Sequence, residues 1–391
     1  MSAYNPSSLV TKNSPGALRK FSTLLARTLT NKESFAAYFE PFVQLFNPEW
    51  RYNQLSARVI SKRNENHKIY TLTLKPNRRW QTFKAGQFVT LSVEINGRLL
   101  TRTFSISSAP REFQRHGLIQ LSICEQQQGA VTPWLKSELK TGDTVYLSQA
   151  MGEFCLDIQD RKIFIAGGSG ITPIRSMLKE SKDQPWLKDA HLLFYQDTPE
   201  EAIFCEDLAE LKQAGLNVHL FYSKLDGFIS LAHLRQALKL SETPDTTFFQ
   251  RSEAYICGPG PMIANTRALL LNAGLEERFI HFEYFGSTPL AASTKALQDK
   301  NAEAFIQVDY LSSGKQATFS GTSLNKSLLE LAEEQGLKPV SGCRMGICHQ
   351  CICKKQSGRV LNTKTQEISD TGPQDIQLCL SVPLGPVALE L

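Results

Sequence analysis

No run of this chain supplies the roughly 18 uncharged apolar residues that a membrane-spanning helix requires. Nor does its start carry the apolar core of a secretory signal, so nine cysteines do not read as a secreted disulfide framework. Acidic residues are missing from the first 32 positions, where Lys12, Arg19, Lys20, Arg27 and Lys32 all precede Glu33. There is no internal repeat and no low-complexity tract, which sets aside solenoids and disordered linkers as the main architecture. A DNA-reading helix, a kinase motif and a broad basic surface are also missing, and a net charge of +5 is too small to suggest a nucleic-acid partner. The output domain that a sensor or regulator of that kind would carry is therefore not evident.

What is present is a globular composition, 41% hydrophobic and 21% charged, over 391 residues, enough for roughly two to four domains. Residues 1–51 read as a helical extension, with Phe35, Phe39, Phe42 and Phe46 on one stripe that needs a partner surface. Within it, Leu18, Phe21, Leu25 and Leu29 share a face beside Arg19, Lys20 and Arg27. That basic amphipathic pattern suits either packing against the rest of the protein or an anionic membrane surface. A cleaved organellar transit peptide is a third reading of the same acid-poor segment. The expectation is a cytoplasmic protein, with peripheral membrane contact as an option.

From residue 52 to 157, six short apolar-rich runs broken by Asn, Gly and Pro predict a small antiparallel barrel. From 158 to 286, apolar strands (Ile163–Ala166, His191–Tyr195, Asn217–Phe221, Ala254–Cys257) alternate with helical segments, which predicts a parallel α/β domain. A small-residue stretch at 287–302 reads as a linker, and new strands begin in 303–391.

The most specific motif lies in that last segment. Cys343, Cys348 and Cys351 follow the C-x4-C-x2-C spacing of plant-type 2Fe-2S proteins, and Cys379 follows 28 residues later. A cluster of two irons needs four thiolates, and Gly342 and Gly346 let a loop wrap closely around them. A zinc site would favour two C-x2-C pairs instead. Cys353 stands too near Cys351 to add a ligand and reads as a core thiol. With a hairpin around Ser312-Ser313-Gly314, a helix ended by Gly336 and a last strand at the C-terminus, residues 303–391 resemble a plant-type ferredoxin domain of the β-grasp kind.

Two further constellations are Arg102-Thr103-Phe104-Ser105 on a barrel strand and Gly129-Ala130-Val131-Thr132 at the start of a helix. Here the chain resembles the ferredoxin-reductase superfamily. That resemblance implies that Arg102 and the turn of Gly129, Val131 and Thr132 hold the diphosphate of FAD. It also places Thr103, Phe104 and Ser105 along the flavin, with phenylalanine where the family usually has tyrosine. Gly167-Gly168-Ser169-Gly170-Ile171-Thr172-Pro173, between a strand and a helix, and Cys257-Gly258-Pro259-Gly260-Pro261 resemble the two loops that receive the nicotinamide. By the same resemblance Ser105, Thr172, Cys257 and Glu283 are the catalytic set. Gly168, Gly170, Gly258 and Pro259 bind cofactor, and Phe285 covers the flavin.

Asp197, after the second parallel strand, and Phe228 stand where NADPH-using relatives often have arginine, which favours NADH, while Lys224 and Arg175 are cations that keep NADPH open. The implied activity is an NAD(P)H-dependent reductase passing electrons through FAD and a 2Fe-2S cluster to an acceptor protein. The order of modules is similar to reductase partners of membrane-bound stearoyl-CoA-type fatty acid desaturases. Reductases of ring-hydroxylating or other Rieske and non-haem iron oxygenases, or of hybrid-cluster proteins, are the alternative. From Ala302 onward nine acids face eight bases, so this segment lacks the strong acidity of free plant-type ferredoxins. Arg344, Lys354 and Lys355 would then meet an acidic acceptor face.

Overall fold

The computed structural model describes residues 55–127, 129–157, 161–240, 246–249, 251–285, 305–320, 326–342, 346, 350–363, 365 and 367–391. The helical extension, the linker, Cys343, Arg344 and Cys348 lie outside the described residues.

Six strands, β1 (Leu55–Asn64), β2 (Ile69–Pro76), β3 (Phe88–Ile95), β4 (Arg98–Ser105), β5 (Ile119–Cys124) and β6 (Thr144–Leu147), form one sheet in the order β4-β3-β6-β1-β2-β5. Alternation along β2 buries Tyr70, Leu72 and Leu74 completely. The β3–β4 hairpin pairs from Phe88 with Ser105 to Ile95 with Arg98. Its two-residue turn, Asn96-Gly97, takes positive φ at both positions, the geometry that matches strand twist. The sheet's two ends meet through a bridge between Ile106 and Leu121 and through the Ser107 N–H to the Gln120 carbonyl at 2.8 Å, closing a barrel. The short helices α1 (Pro110–His116) and α2 (Thr132–Ser137) belong to this part of the chain.

The second sheet is wholly parallel: β7 (Arg161–Gly167), β8 (His191–Gln196), β9 (Asn217–Tyr222), β10 (Ser252–Gly258) and β11 (Ile280–Tyr284), in the order β11-β10-β7-β8-β9. Successive residues face opposite sides, so Phe164 and Ala166 pack with α3 (Ile171–Glu180) and α4 (Cys205–Gln213). Ile163 and Ile165 pack with α5 (Leu231–Leu238) and α6 (Gly260–Asn272). Burial on both faces explains why these strands read as continuous apolar runs. The chain order reverses between β7 and β10, and in such sheets a crevice opens beyond the carboxyl ends of the strands at that point.

Buried polar contacts tie barrel to sheet. Arg175 Nη1 donates to the Ser107 carbonyl at 2.7 Å and to Gln120 Oε1 at 3.1 Å, while its Nε donates to Asp207 at 2.7 Å. Burial would raise the Asp207 carboxyl, but Arg175 and Lys179 outweigh it and hold the group below the usual carboxylate range. Arg175 is therefore occupied in a structural cluster, contrary to its reading as a cation for NADPH. Losing one partner of such a buried pair costs about 3–5 kcal/mol.

The third body pairs β12 (Ile306–Tyr310), β13 (Lys315–Phe319), β14 (Ile352–Ser357), β16 (Gln374–Gln377) and β18 (Val387–Leu389) in the order β13-β12-β18-β14-β16. A small ladder joins β15 (Val360–Asn362) and β17 (Ser381–Pro383). Helix α7 (Leu328–Glu334) starts at a capping box in which Ser327 and Glu330 satisfy each other's backbone N–H, and it packs Leu328 and Leu331 into this core. Cys353 lies in the same core, where burial pushes its thiol up to about 11. Lys355 is fully buried and donates to the carbonyls of Asp370 and Gly372, so it cannot face a partner protein; Lys354 is exposed.

On β8 and β9, His191 and His219 stack at 5.8 Å, with Nδ1 of His191 and Nε2 of His219 lacking hydrogen-bond partners. Burial first, then the neighbouring imidazole, lowers His191 to about 4, and burial lowers His219. Because the folded state resists protonation while the unfolded chain accepts it near pH 6.5, stability is full above that value and falls as pH drops toward about 4. The thermal midpoint should decline from pH 7 to pH 5, and His191→Phe should flatten the decline. Equal slopes in the two proteins would contradict this assignment.

Candidate active site: a cleft between barrel and parallel sheet

At the switch point the first glycine turn and the loop after β10 pack backbone against backbone. A Cβ on Gly170 would fall on the carbonyl oxygen of Cys257, and one on Gly167 would meet Met262 Sδ at 2.5 Å. These glycines are needed for close approach. Gly168 differs: its φ of +53° favours glycine, and open space surrounds the place where a side chain would project. Thr172 Oγ1 donates to the Ser169 carbonyl at 3.0 Å and closes the turn at the start of α3.

Between these loops and the barrel lies a cleft of about 1020 Å³. Its barrel wall includes Arg102, Thr103, Phe104 and Ser105 of β4, with Gly129, Val131 and Thr132 at the entry to α2. Its sheet wall includes Gly168, Thr172, Asp197, Gly258, Pro259, Glu283 and Phe285. Gly170 and Cys257 do not line it. Cys257 is fully buried in the core beneath, because alternation along β10 turns it toward α3 and α4, and burial followed by the charge of Glu283 raises its thiol well above the ordinary range. The structure thus places Cys257 under the cleft floor.

Two buried residues meet across the cleft, where Ser105 Oγ donates to Glu283 Oε2 at 3.4 Å. That pairing can hold a proton at a defined atom. Thr103 Oγ1 and Gln196 Nε2 are buried without hydrogen-bond partners, an arrangement that calls for a ligand with acceptors and donors in reach. Val131 begins α2 without a side-chain cap, so first-turn N–H groups remain for an anion, and Arg102 supplies a permanent charge on the same wall. The cleft volume is at the upper end of that of small-ligand sites. These residues fit an elongated flavin dinucleotide on the barrel side and a nicotinamide on the sheet side.

In the third body, the Sγ atoms of Cys351 and Cys379 approach to 3.1 Å, although 28 residues separate them, and both are nearly buried. The spacing exceeds the ~2.05 Å of a disulfide, and opening it by about 0.7 Å would place both sulfurs on one tetrahedral metal ion. Gly346 keeps φ at +72° with Leu380 lying where its Cβ would be, so this glycine is pressed against the segment that carries Cys379. Two of the four expected ligands thus converge, and the glycine fits a tightly wrapped cluster.

Three domain families match in the same order. The oxidoreductase FAD-binding domain covers residues 56–155, the oxidoreductase NAD-binding domain 164–268 and the 2Fe-2S iron-sulfur cluster binding domain 312–384. The chain is an oxidoreductase of the ferredoxin-reductase type. This reductase uses FAD, a 2Fe-2S cluster and a nicotinamide cofactor. It is 25% identical to an NADPH oxidoreductase of Mycobacterium tuberculosis over 90% of this chain and 88% of that one. It is 28% identical to the glycine betaine monooxygenase reductase subunit of Chromohalobacter salexigens, over 79% and 87%. An NADH oxidoreductase of Escherichia coli is also 28% identical, over 78% and 88%. Phthalate dioxygenase reductase shares the fold, with a TM-score of 0.59 at 22% identity over 87% of the reductase and 98% of that structure.

Motif reading missed several residues of the reductase's cleft, among them Asn66, Lys68, Gln196, Ser223 and Asn265. None carries a local signature; each arrives from a turn, strand end or helix that only folding brings to the site. Gly170→Ala should cost about 1–3 kcal/mol of stability and lower nicotinamide-dependent reduction, whereas Gly372→Ala, with nothing within 4 Å, should leave both alone. Thermal melting and flavin bleaching of the two variants check this, and a well-tolerated Gly170→Ala would refute the loop-packing account.

Proposed function

We propose that this reductase takes electrons from NADH and delivers them, one at a time, to an oxygenase-type acceptor, with a membrane-bound fatty acyl-CoA desaturase as the primary candidate. When bound, the flavin accepts an electron pair and the cluster carries single electrons onward. Arg102 and the amides at Val131 and Thr132 hold the FAD diphosphate, Phe104 packs on the ring system and Thr103 satisfies its hydroxyl there. Gly168, Gly258 and Pro259 admit the nicotinamide and Phe285 covers the flavin until it arrives. Ser105 and Glu283 hold a proton beside the reacting edge, with Thr172 shaping the turn next to them. Cys257 supports Glu283 from below. Cys343, Cys348, Cys351 and Cys379 hold the cluster.

The desaturase reading is carried by the acid-free amphipathic stretch before Glu33, whose apolar face and cations suit the anionic surface at which a membrane acceptor sits. A soluble oxygenase is the second reading, favoured by the Chromohalobacter relative, a monooxygenase reductase subunit by name. Anaerobic reduction by NADH should bleach the flavin and produce a 2Fe-2S paramagnetic signal that Cys348→Ser loses. Oxidation of that signal by a purified desaturase in vesicles, but not by a soluble Rieske oxygenase, supports the first reading; the reverse order selects the second.

For the nucleotide, Asp197 lies at the carboxyl end of the second parallel strand, where an acid accepts from a free ribose hydroxyl and repels a 2′-phosphate. Arg175 is engaged elsewhere, and the Lys224 side chain is exposed outside the cleft lining. The names of relatives divide, NADPH for the Mycobacterium protein and NADH for that of Escherichia coli. NADH should give the higher kcat/KM, and Asp197→Ala should narrow the ratio about tenfold, roughly 1.4 kcal/mol. A strong preference for NADPH in the unaltered protein would reverse the assignment.

A further inference from the structure

Of the described residues lining the cleft, only Lys68 and Arg102 are basic, and Arg102 stands on the flavin wall. The sheet side, which must accept a dinucleotide bearing two phosphates, presents Asp197, Glu201 and Glu283 instead. Lys68 comes from the other domain, on the turn between β1 and β2. Asn66 Oδ1 accepts from the N–H groups of Lys68 at 2.9 Å and Ile69 at 2.7 Å, and this shapes the turn. The same Asn66 donates through Nδ2 to the Glu201 carbonyl at 2.7 Å, while Lys68 Nζ donates to Glu201 Oε1 at 2.8 Å and lies 3.6 Å from Asp197 Oδ2. One barrel turn thus grips the segment 197–201, which leaves β8 beside Gln196, whose Oε1 accepts from the Ile203 N–H while its Nε2 stays unpartnered in the cleft.

We propose that Lys68 is a positioning residue for the nicotinamide dinucleotide: through Glu201 it holds the loop 197–201 at the cleft wall, and its ammonium balances the diphosphate on the nicotinamide side. This rests on the reading that the dinucleotide occupies the sheet side of the cleft. Its side chain is 44% exposed, so the ion pair by itself adds little to stability, and a role toward an anionic ligand accounts better for its location. The bond to Glu201, ahead of a weaker burial effect, raises the Lys68 pKa and keeps it charged through the neutral range. Both carboxylates remain after its removal, so the cleft wall would then repel the phosphates.

The test is titration calorimetry of 5′-ADP into the oxidised, flavin-loaded protein and its variants, alongside steady-state kinetics with NADH. Lys68→Met should weaken ADP about tenfold and lower kcat/KM by a similar factor, with the loss carried by KM, and Lys68→Arg should restore most of both. Raising salt should weaken ADP less in Lys68→Met than in the unaltered protein. If Asp197→Ala shifts the ADP affinity while Lys68→Met does not, the role of Lys68 is overturned and the placement of the dinucleotide stands. If neither variant shifts it, the placement fails as well. A lowered thermal midpoint in Lys68→Met with unchanged ADP affinity would reduce Lys68 to an interdomain tie and overturn the proposal.

Discussion

Gly170 has no space for a side chain because the carbonyl of Cys257 occupies it, and the two loops at the switch point of the parallel sheet are held that close along their backbones. Helix α3 begins at this contact, and β7 and β10 end at it. The cleft exists because these two loops turn away from each other above their contact, one toward β8 and the other toward β11. A bulkier residue would lift one loop and move both the glycine turn and the Gly258-Pro259 segment. The positions of Thr172, Glu283 and Phe285 follow from the same contact, since each is carried by an element that starts or ends near it.

A second layer of organisation is buried charge. Arg175 with Asp207 joins barrel to sheet, and Lys162 with Glu253, both nearly inaccessible, anchors the connector at Asp157 through its carbonyl and through Tyr255, which accepts from the Asp157 N–H. Charges so placed are costly unless paired and hydrogen-bonded, and each of these has an opposite charge within 3.2 Å. They keep the barrel's β4 facing the sheet, which brings Ser105 within reach of Glu283 from a strand 178 residues earlier in the chain. Lys68 is the exposed counterpart of such contacts, at the cleft mouth and not beneath it.

Much of the fold could be read from pattern. Continuous apolar runs announced the parallel strands because both faces of that sheet are covered, and the Asn, Gly and Pro breaks announced the barrel because closed antiparallel strands need tight turns. Charge alone misled at two positions. Arg175 and Lys355 look like surface cations in a sequence, yet one bridges domains and the other caps the carbonyls of Asp370 and Gly372. A side chain's charge is local information, whereas its burial depends on which distant backbone carbonyls fold around it.

The sequence by itself determined the order of modules, the cluster-ligand spacing of Cys343, Cys348 and Cys351, and the glycine loops, since these depend on neighbours a few residues apart. Tertiary structure decided which of those residues share a cavity. It set Cys257 under the floor and brought Cys379 to Cys351 across 28 residues. It also delivered Lys68 from a barrel turn with no motif to the carboxylates of another domain. The physical reason is the same each time: hydrogen bonding and periodicity act along the chain, while close packing and the pairing of charges act between segments that meet only when the whole chain has folded.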